Sequence, residues 1–239
     1  MKTKPYLLLV VLLVLMVLPA ANAQNCNDYM LLNSNAQYEI LTYSNKDKLE
    51  SKASYHVKDV SRSGDKLEAT IQTKVYDNKD KLVSEGAFKV ECDGGSVSID
   101  MRSMMNPGML EAYKDMEMSM EGDKILYPGN LREGQKLADG TMNITIKDQA
   151  SGQAMVTMTM SITDRMVKGR ESIKVPAGTY DAYKISQNTE VESRAMGMKM
   201  PGMRMQTVEY FVQGIGMVRT ETYRNGKLIS YSVLSKISK

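Results

Sequence analysis

Most of this chain alternates apolar and polar residues with a period of two. Over 66–75, Leu67, Ala69, Ile71, Thr73 and Val75 fall on one side, with Lys66, Glu68, Thr70, Gln72 and Lys74 on the other. That period belongs to a strand with one wet face. Comparable runs occupy 37–43, 49–60, 82–93, 96–101, 116–120, 141–148, 154–163, 166–175, 180–193, 206–213, 217–224 and 228–237. Turn residues separate many of them, among them Ser63-Gly64-Asp65, Asp93-Gly94-Gly95 and Asn225-Gly226-Lys227. Asn-Gly between two alternating runs is a strong hairpin signal. The pattern predicts a mainly β protein: a large curved antiparallel sheet, or an incomplete β-barrel, of about 10–12 strands, because sheets that wide curl or close to manage their edges. One segment departs from it. Residues 104–115 carry Pro107, Met109, Leu110 and Tyr113, the spacing of a short helix, so one or two short helices are expected.

The N-terminus carries a different signal. Lys2 and Lys4 precede an unbroken apolar run over 7–18, and Pro19 ends it. The run falls short of the roughly 20 residues of a membrane helix. Ala21-Asn22-Ala23 supplies small residues for cleavage before Gln24. Residues 1–23 thus read as a signal peptide and 24–239 as one β-rich domain, released into the periplasm or secreted, with no stable membrane insertion. Asn25 before Cys26 does not form a lipobox. In an oxidising compartment Cys26 and Cys92 are expected to pair, the alternative being two buried thiols.

Composition narrows the chemistry. The leader removes two basic residues, so 31 Lys and Arg fall to 29 against 28 Asp and Glu. That balance gives no electrostatic case for nucleic acid, and with no Trp and two Phe there are few platforms for stacking bases. His56 is the only histidine and falls on the polar side of its run. No G-x-S-x-G elbow and no phosphate-cradling glycine motif is present. No catalytic residue is singled out, and the expectation is a non-enzymatic protein without a cofactor.

Methionine is the anomaly: the chain has 21. They gather at Met101, Met104, Met105, Met109, Met116, Met118 and Met120, then at Met155, Met158 and Met160, then at Met196, Met198, Met200, Met203 and Met205. Three readings stand side by side. Methionine fills cores adaptably. It also lines apolar cavities for variable, lipid-like ligands, with Met109, Tyr113, Met116, Met118, Met120, Met158 and Met160 as candidates. Thioether sulfur is also a soft ligand for Cu(I) or Ag(I), for which the Gly- and Pro-broken stretch Met196, Met198, Met200, Met203 and Met205 is the candidate. The first leaves a purely structural or interaction domain.

Two segments carry a family likeness. Residues 171–186 read ESIKVPAGTYDAYKIS and 212–227 read VQGIGMVRTETYRNGK. With Ser98-Ile99-Asp100-Met101, Tyr127-Pro128 and Gly134-Gln135, they resemble the TapB-like exported proteins of Bacteroidetes. The resemblance implies a fold similar to the lipoprotein-localisation factors, a curved incomplete barrel with a helix near its open side. It also implies a possible partner class, lipids or lipoproteins in the periplasm, but no reaction. Pro176, Ala177, Gly178 and Thr179 have a simpler role as turn residues: Pro176 fixes φ, Gly178 permits a left-handed turn and Thr179 begins the next strand.

Overall fold

The computed structural model describes Cys26, Tyr29, residues 32–104, Tyr113 and residues 115–238. The leader and its cleavage site lie outside these, as do Met105 and Met109. Of the helix expected over 107–113, only Tyr113 is described.

Alternation does become strand. The first five are β1 (Gln37–Ser44), β2 (Leu49–Ser63), β3 (Lys66–Asp77), β4 (Leu82–Asp93) and β5 (Ser96–Asp100), ending in a 3₁₀ turn at Met101–Met104. Then come β6 (Glu117–Gly122), β7 (Lys124–Tyr127), β8 (Gly140–Lys147), β9 (Ala154–Val175) and β10 (Gly178–Ala195). The last are β11 (Met198–Lys199), β12 (Met203–Val212), β13 (Gly216–Arg224) and β14 (Lys227–Ser238). All 14 join one antiparallel sheet in the order β6-β8-β9-β10-β12-β13-β14-β1-β2-β3-β4-β5-β7, with β11 beside β10. Asn225 and Gly226 adopt positive φ (51° and 73°) between the paired Arg224 and Lys227, the turn geometry that suits the twist of a hairpin.

Two differences from the alternation matter. The runs 154–163 and 166–175 are one 22-residue strand. Asp164 (φ 55°) and Gly169 (φ 132°) distort it where the register against β10 shifts, without ending the pairing. The second difference is β7, four residues whose alternation is too short to detect. It is the strand that closes the fold. β6 and β7 are the two ends of the sheet order, yet only Asp123 separates them. Its amide donates to Thr141 O (3.0 Å), its carbonyl accepts from Met101 N (3.3 Å) and its carboxylate accepts from Thr141 N (2.8 Å). The chain thus steps from one edge of the sheet to the other and closes the barrel at that end. Elsewhere it stays open. β5 pairs β4 only over Val90–Asp93, and β6 pairs only β8. Among the described residues, the 82–89 half of β4 and the outer side of β6 are therefore edges without a strand partner.

Two glycines permit the tight packing near the closed end. A Cβ on Gly129 would lie 2.6 Å from the Gly95 carbonyl oxygen, and one on Gly140 would lie 2.6 Å from Ile125 Cδ1. Backbone cannot swing aside as a side-chain terminus can. Gly129→Ala is therefore expected to cost about 1–3 kcal/mol, at the overpacking end of core substitutions, and Gly140→Ala less. Urea denaturation of the two variants checks the order.

The interior core joins Met101, Ile125, Tyr127, Met142, Ile144, Ile146 and Phe211 with Cys26 and Cys92. A second apolar cluster lies on the opposite face of β12, β14 and β1, where Tyr210, Val233, Leu41 and Tyr43 meet the β9–β10 hairpin through Val175, Ala177 and Tyr180. The Ala177 amide donates to Leu234 O (3.2 Å), fixing that hairpin on β14.

Candidate functional site

Register brings the methionine clusters together. Met120 of β6 faces Ile144 of β8, and Met118 faces Ile146. Ile144 in turn faces Met158 of β9, and Met142 faces Met160. Met160 faces Val191 and Met158 faces Ser193 on β10. Val191 faces Met203 and Thr189 faces Met205 on β12, while Ala195 faces Met198 on β11. Cross-strand partners share a sheet face, so these residues form one thioether-rich face across five neighbouring strands and β11. Its centre is buried at Met142, Ile144 and Ile146. Met118, Met120, Met158, Met160 and Tyr113 pack half-buried against that core.

The other wall of the concavity changes chemistry along each strand. At the closed end it encloses an apolar cavity of about 180 Å³, lined among others by Ile40, Tyr55, Ile71, Phe88, Phe211 and Met217. Towards the open end the same strands turn polar. Ile40 gives way to Thr42 on β1, Ile71 to Thr73 on β3, Phe88 to Gly86 and Ser84 on β4, and Met217 to Thr222 on β13. These line a cleft of about 1030 Å³ that reaches Met120 across the free edge of β4 and shares Tyr55, Phe88 and Ser103 with the cavity.

The polar wall is ordered. Thr207, Thr222, Ser230 and Ser44 stand opposite one another in register across β12, β13, β14 and β1. Thr220, Ser232, Thr42 and Ser51 form a second row across β13, β14, β1 and β2. Within these rows Thr42 and Ser232 are hydrogen-bonded, Oγ1 to Oγ, at 2.9 Å.

Beneath the cavity lies a buried polar network. Arg165 of β9 is fully buried. Its Nε donates to Gln187 Oε1 (3.0 Å), and Nη1 donates to the carbonyls of Leu126 (3.1 Å) and Ala138 (2.9 Å). Gln187 Nε2 donates to Glu209 Oε1 (2.8 Å), and Tyr127 Oη donates to Glu209 Oε2 (2.9 Å). Arg165 Nη2 has no hydrogen-bond partner among the described residues. Its guanidinium lies over the Tyr127 ring (5.0 Å), which offsets part of that cost. Tyr127 in turn stacks on Phe211 of the cavity wall (4.8 Å). The network ties β7 to β9, β10 and β12 across the interior.

Burial holds the Glu209 carboxyl above its usual value of 4.5, against the opposing pull of Arg165, Tyr127 and Gln187. The folded state therefore binds this proton more tightly than the unfolded chain does. This group's contribution to stability is full below the unfolded value and is lost as pH rises through the folded one. Glu209→Gln is expected to remove that decline. The unfolding free energy of wild type minus variant, followed from about pH 4 to 8, reads it directly.

The family model described as DUF3108-like matches residues 34–234. The chain belongs to the DUF3108-like family. Two solved structures share the fold of this DUF3108-like chain. One is a Bacteroides fragilis protein named for export and a YmcC-like fold, at 24% identity and TM-score 0.67, covering 87% of this chain and 97% of that one. The other is a Parabacteroides distasonis protein named as a lipoprotein, at 24% identity and TM-score 0.69, covering 87% and 96%. No curated protein matches the sequence.

In this DUF3108-like fold the residues singled out from sequence fall as follows. Cys26 and Cys92 are bonded, with Cα atoms 5.7 Å apart. Met116 is exposed, just before β6. Met196, Met198 and Met200 on the β10–β12 connection and Met203 at the start of β12 are 42–69% exposed, and Met205 is half-buried. Pro176 and Ala177 form a two-residue turn, and β10 starts at Gly178 rather than Thr179. Gly178 has φ 148°, positive but outside the left-handed helical well. Its missing Cβ leaves room for the Tyr180 ring, whose hydroxyl donates to Ala177 O (3.1 Å).

The hydroxyl rows and the Arg165–Glu209 network were not anticipated from sequence. One signal was available for Glu209: it sits between Val208 and Tyr210-Phe211-Val212, where a lone carboxylate in an apolar stretch calls for a partner.

Proposed function

We propose that this DUF3108-like chain is an exported, non-enzymatic protein that binds or carries an apolar, lipid-like ligand outside the cytoplasm. The apolar run over 7–18 and the likeness of residues 171–186 and 212–227 to TapB-like exported proteins support export. The fold likeness to a protein named as exported and one named as a lipoprotein is in keeping with it.

One observation carries the binding reading: the apolar cavity inside the curved sheet adjoins a much larger cleft that wraps the edge of β4. A dry cavity of roughly 150 Å³ suffices for a small apolar molecule, whereas whole-ligand pockets run to about 300–1,000 Å³. The 180 Å³ cavity therefore suits the end of an apolar chain, with the remainder in the cleft beside Met120. Soft, adaptable methionine along the facing wall suits chains of varied shape.

The test is fluorescence binding of N-phenylnaphthylamine to wild type and to two variants that fill the cavity, Val97→Phe and Ile99→Phe. At least one folded variant is expected to bind about tenfold more weakly, a loss of about 1.4 kcal/mol. Equal affinity in both folded variants would place the probe elsewhere and refute the reading.

A further inference from the structure

The polar wall and the charges at the cleft together specify the other end of the ligand. We infer that the cleft receives an amphiphile whose head group is uncharged and rich in hydrogen-bonding groups, such as a sugar or polyol. This rests on the apolar-ligand reading above and adds the class of head group to it.

Among the polar groups lining the cleft are the hydroxyls of Thr42, Thr73, Ser84 and Thr222. Thr42 and Thr222 belong to two rows of hydroxyls that run across neighbouring strands. A hydroxyl both donates and accepts, and its hydrogen rotates to suit its partner. Rows of them at strand spacing match a head that offers several donors and acceptors side by side. They offer no fixed charge to a phosphate or an ammonium.

The charged residues of the cleft do not supply one either. Its three basic residues are each paired with a carboxylate lining the same cleft. Lys89 lies 2.7 Å from Glu68 and Lys124 2.5 Å from Glu91, while Arg102 contacts Asp100. The remaining lining carboxylate, Glu85, lies 3.8 Å from Lys74, which is outside the lining. The lining thus carries no basic group in excess of acid. An anionic head would have to break an existing pair or sit unneutralised beside carboxylates, at a cost set by like-charge repulsion. A cationic head would find carboxylates that are already occupied.

Polarity along the strands sets the orientation. The apolar end enters between Ile71, Phe88 and Phe211, and the head lies against Thr42 and Thr222 towards the open end.

Displacement of N-phenylnaphthylamine by single-chain amphiphiles of one chain length decides the matter, each used below its micelle concentration. Dodecyl maltoside is expected to displace the probe at a concentration about tenfold lower than dodecyl phosphate or dodecyltrimethylammonium, one or two hydrogen bonds' worth of preference. Thr42→Val with Thr222→Val is expected to abolish that preference, read as the ratio of displacing concentrations within the variant. Ser232→Ala offers a milder second variant. Equal or tighter binding of either charged amphiphile would overturn the neutral-head assignment and leave the apolar reading in place. So would folded hydroxyl variants that keep the maltoside preference. Failure of the probe itself to bind would overturn both.

Discussion

Replacing Arg165 with methionine is expected to lower the unfolding free energy by about 3–5 kcal/mol, the large end of single-substitution effects, where a buried hydrogen-bond network is broken. Methionine fills much of the volume but supplies no donors. Gln187 Oε1 and the carbonyls of Leu126 and Ala138 would lose their partners, and each buried acceptor left bare costs about 1–3 kcal/mol. Glu209 would also lose the one cation that opposes its desolvation. Its proton affinity would rise further, so the deficit should grow with pH above the ordinary glutamate range. Urea titrations at two pH values separate this from simple loss of packing. Arg165→Met combined with Glu209→Gln should cost less than the two singles added together, because the second change removes the ionisable group whose ionisation the first makes more costly. Strict additivity would mean that the two side chains do not act as a pair.

Removing the disulfide is the other change of comparable size. Cys26 and Cys92 are 66 residues apart in sequence, and a loop of that length is credited with about 4 kcal/mol in the chain-entropy model. Both residues are buried, at 3% and 1% exposure, so alanine is the appropriate replacement; serine would add unpaired hydroxyls. Cys26→Ala with Cys92→Ala should lower the denaturation midpoint. A reductant should lower the wild-type midpoint to a similar extent and leave the variant unmoved. The bond also holds Cys26 against β4, next to Leu67 and Val97, the register partners of Cys92. Tyr29, from the same N-terminal stretch, lines the cavity. Loss of the bond is therefore expected to weaken probe binding as well as stability.

The class of fold was legible because period two persists through nearly the whole chain. Its closure was not. Lys124-Ile125-Leu126-Tyr127 is only four residues long, and nothing local says that the chain changes neighbours at Asp123. The methionine clusters were conspicuous, but their union on one face depends on the registers of β6 with β8, β8 with β9, β9 with β10 and β10 with β12. Those are long-range facts.

The polar wall misleads a sequence reader for a different reason. Alternation says that two faces differ; it does not say which is inside. Thr220, Thr222, Ser230 and Ser232 look like a solvent face, yet the cleft lies on their side. Val218, Val233 and Leu234 on these strands face outward instead, in the cluster that the β9–β10 hairpin joins. Arg165 was hidden among charges on both sides, between Asp164 and Lys168. Only the fold reveals that it is the one turned inward.

The most direct test of a binding role is native mass spectrometry of the protein purified from its own host without added detergent. A mass excess corresponding to one acyl-bearing, uncharged-head molecule is predicted, lost on denaturation and reduced in a folded Val97→Phe or Ile99→Phe variant. A clean polypeptide mass across the whole population, together with no uptake of N-phenylnaphthylamine, would contradict it.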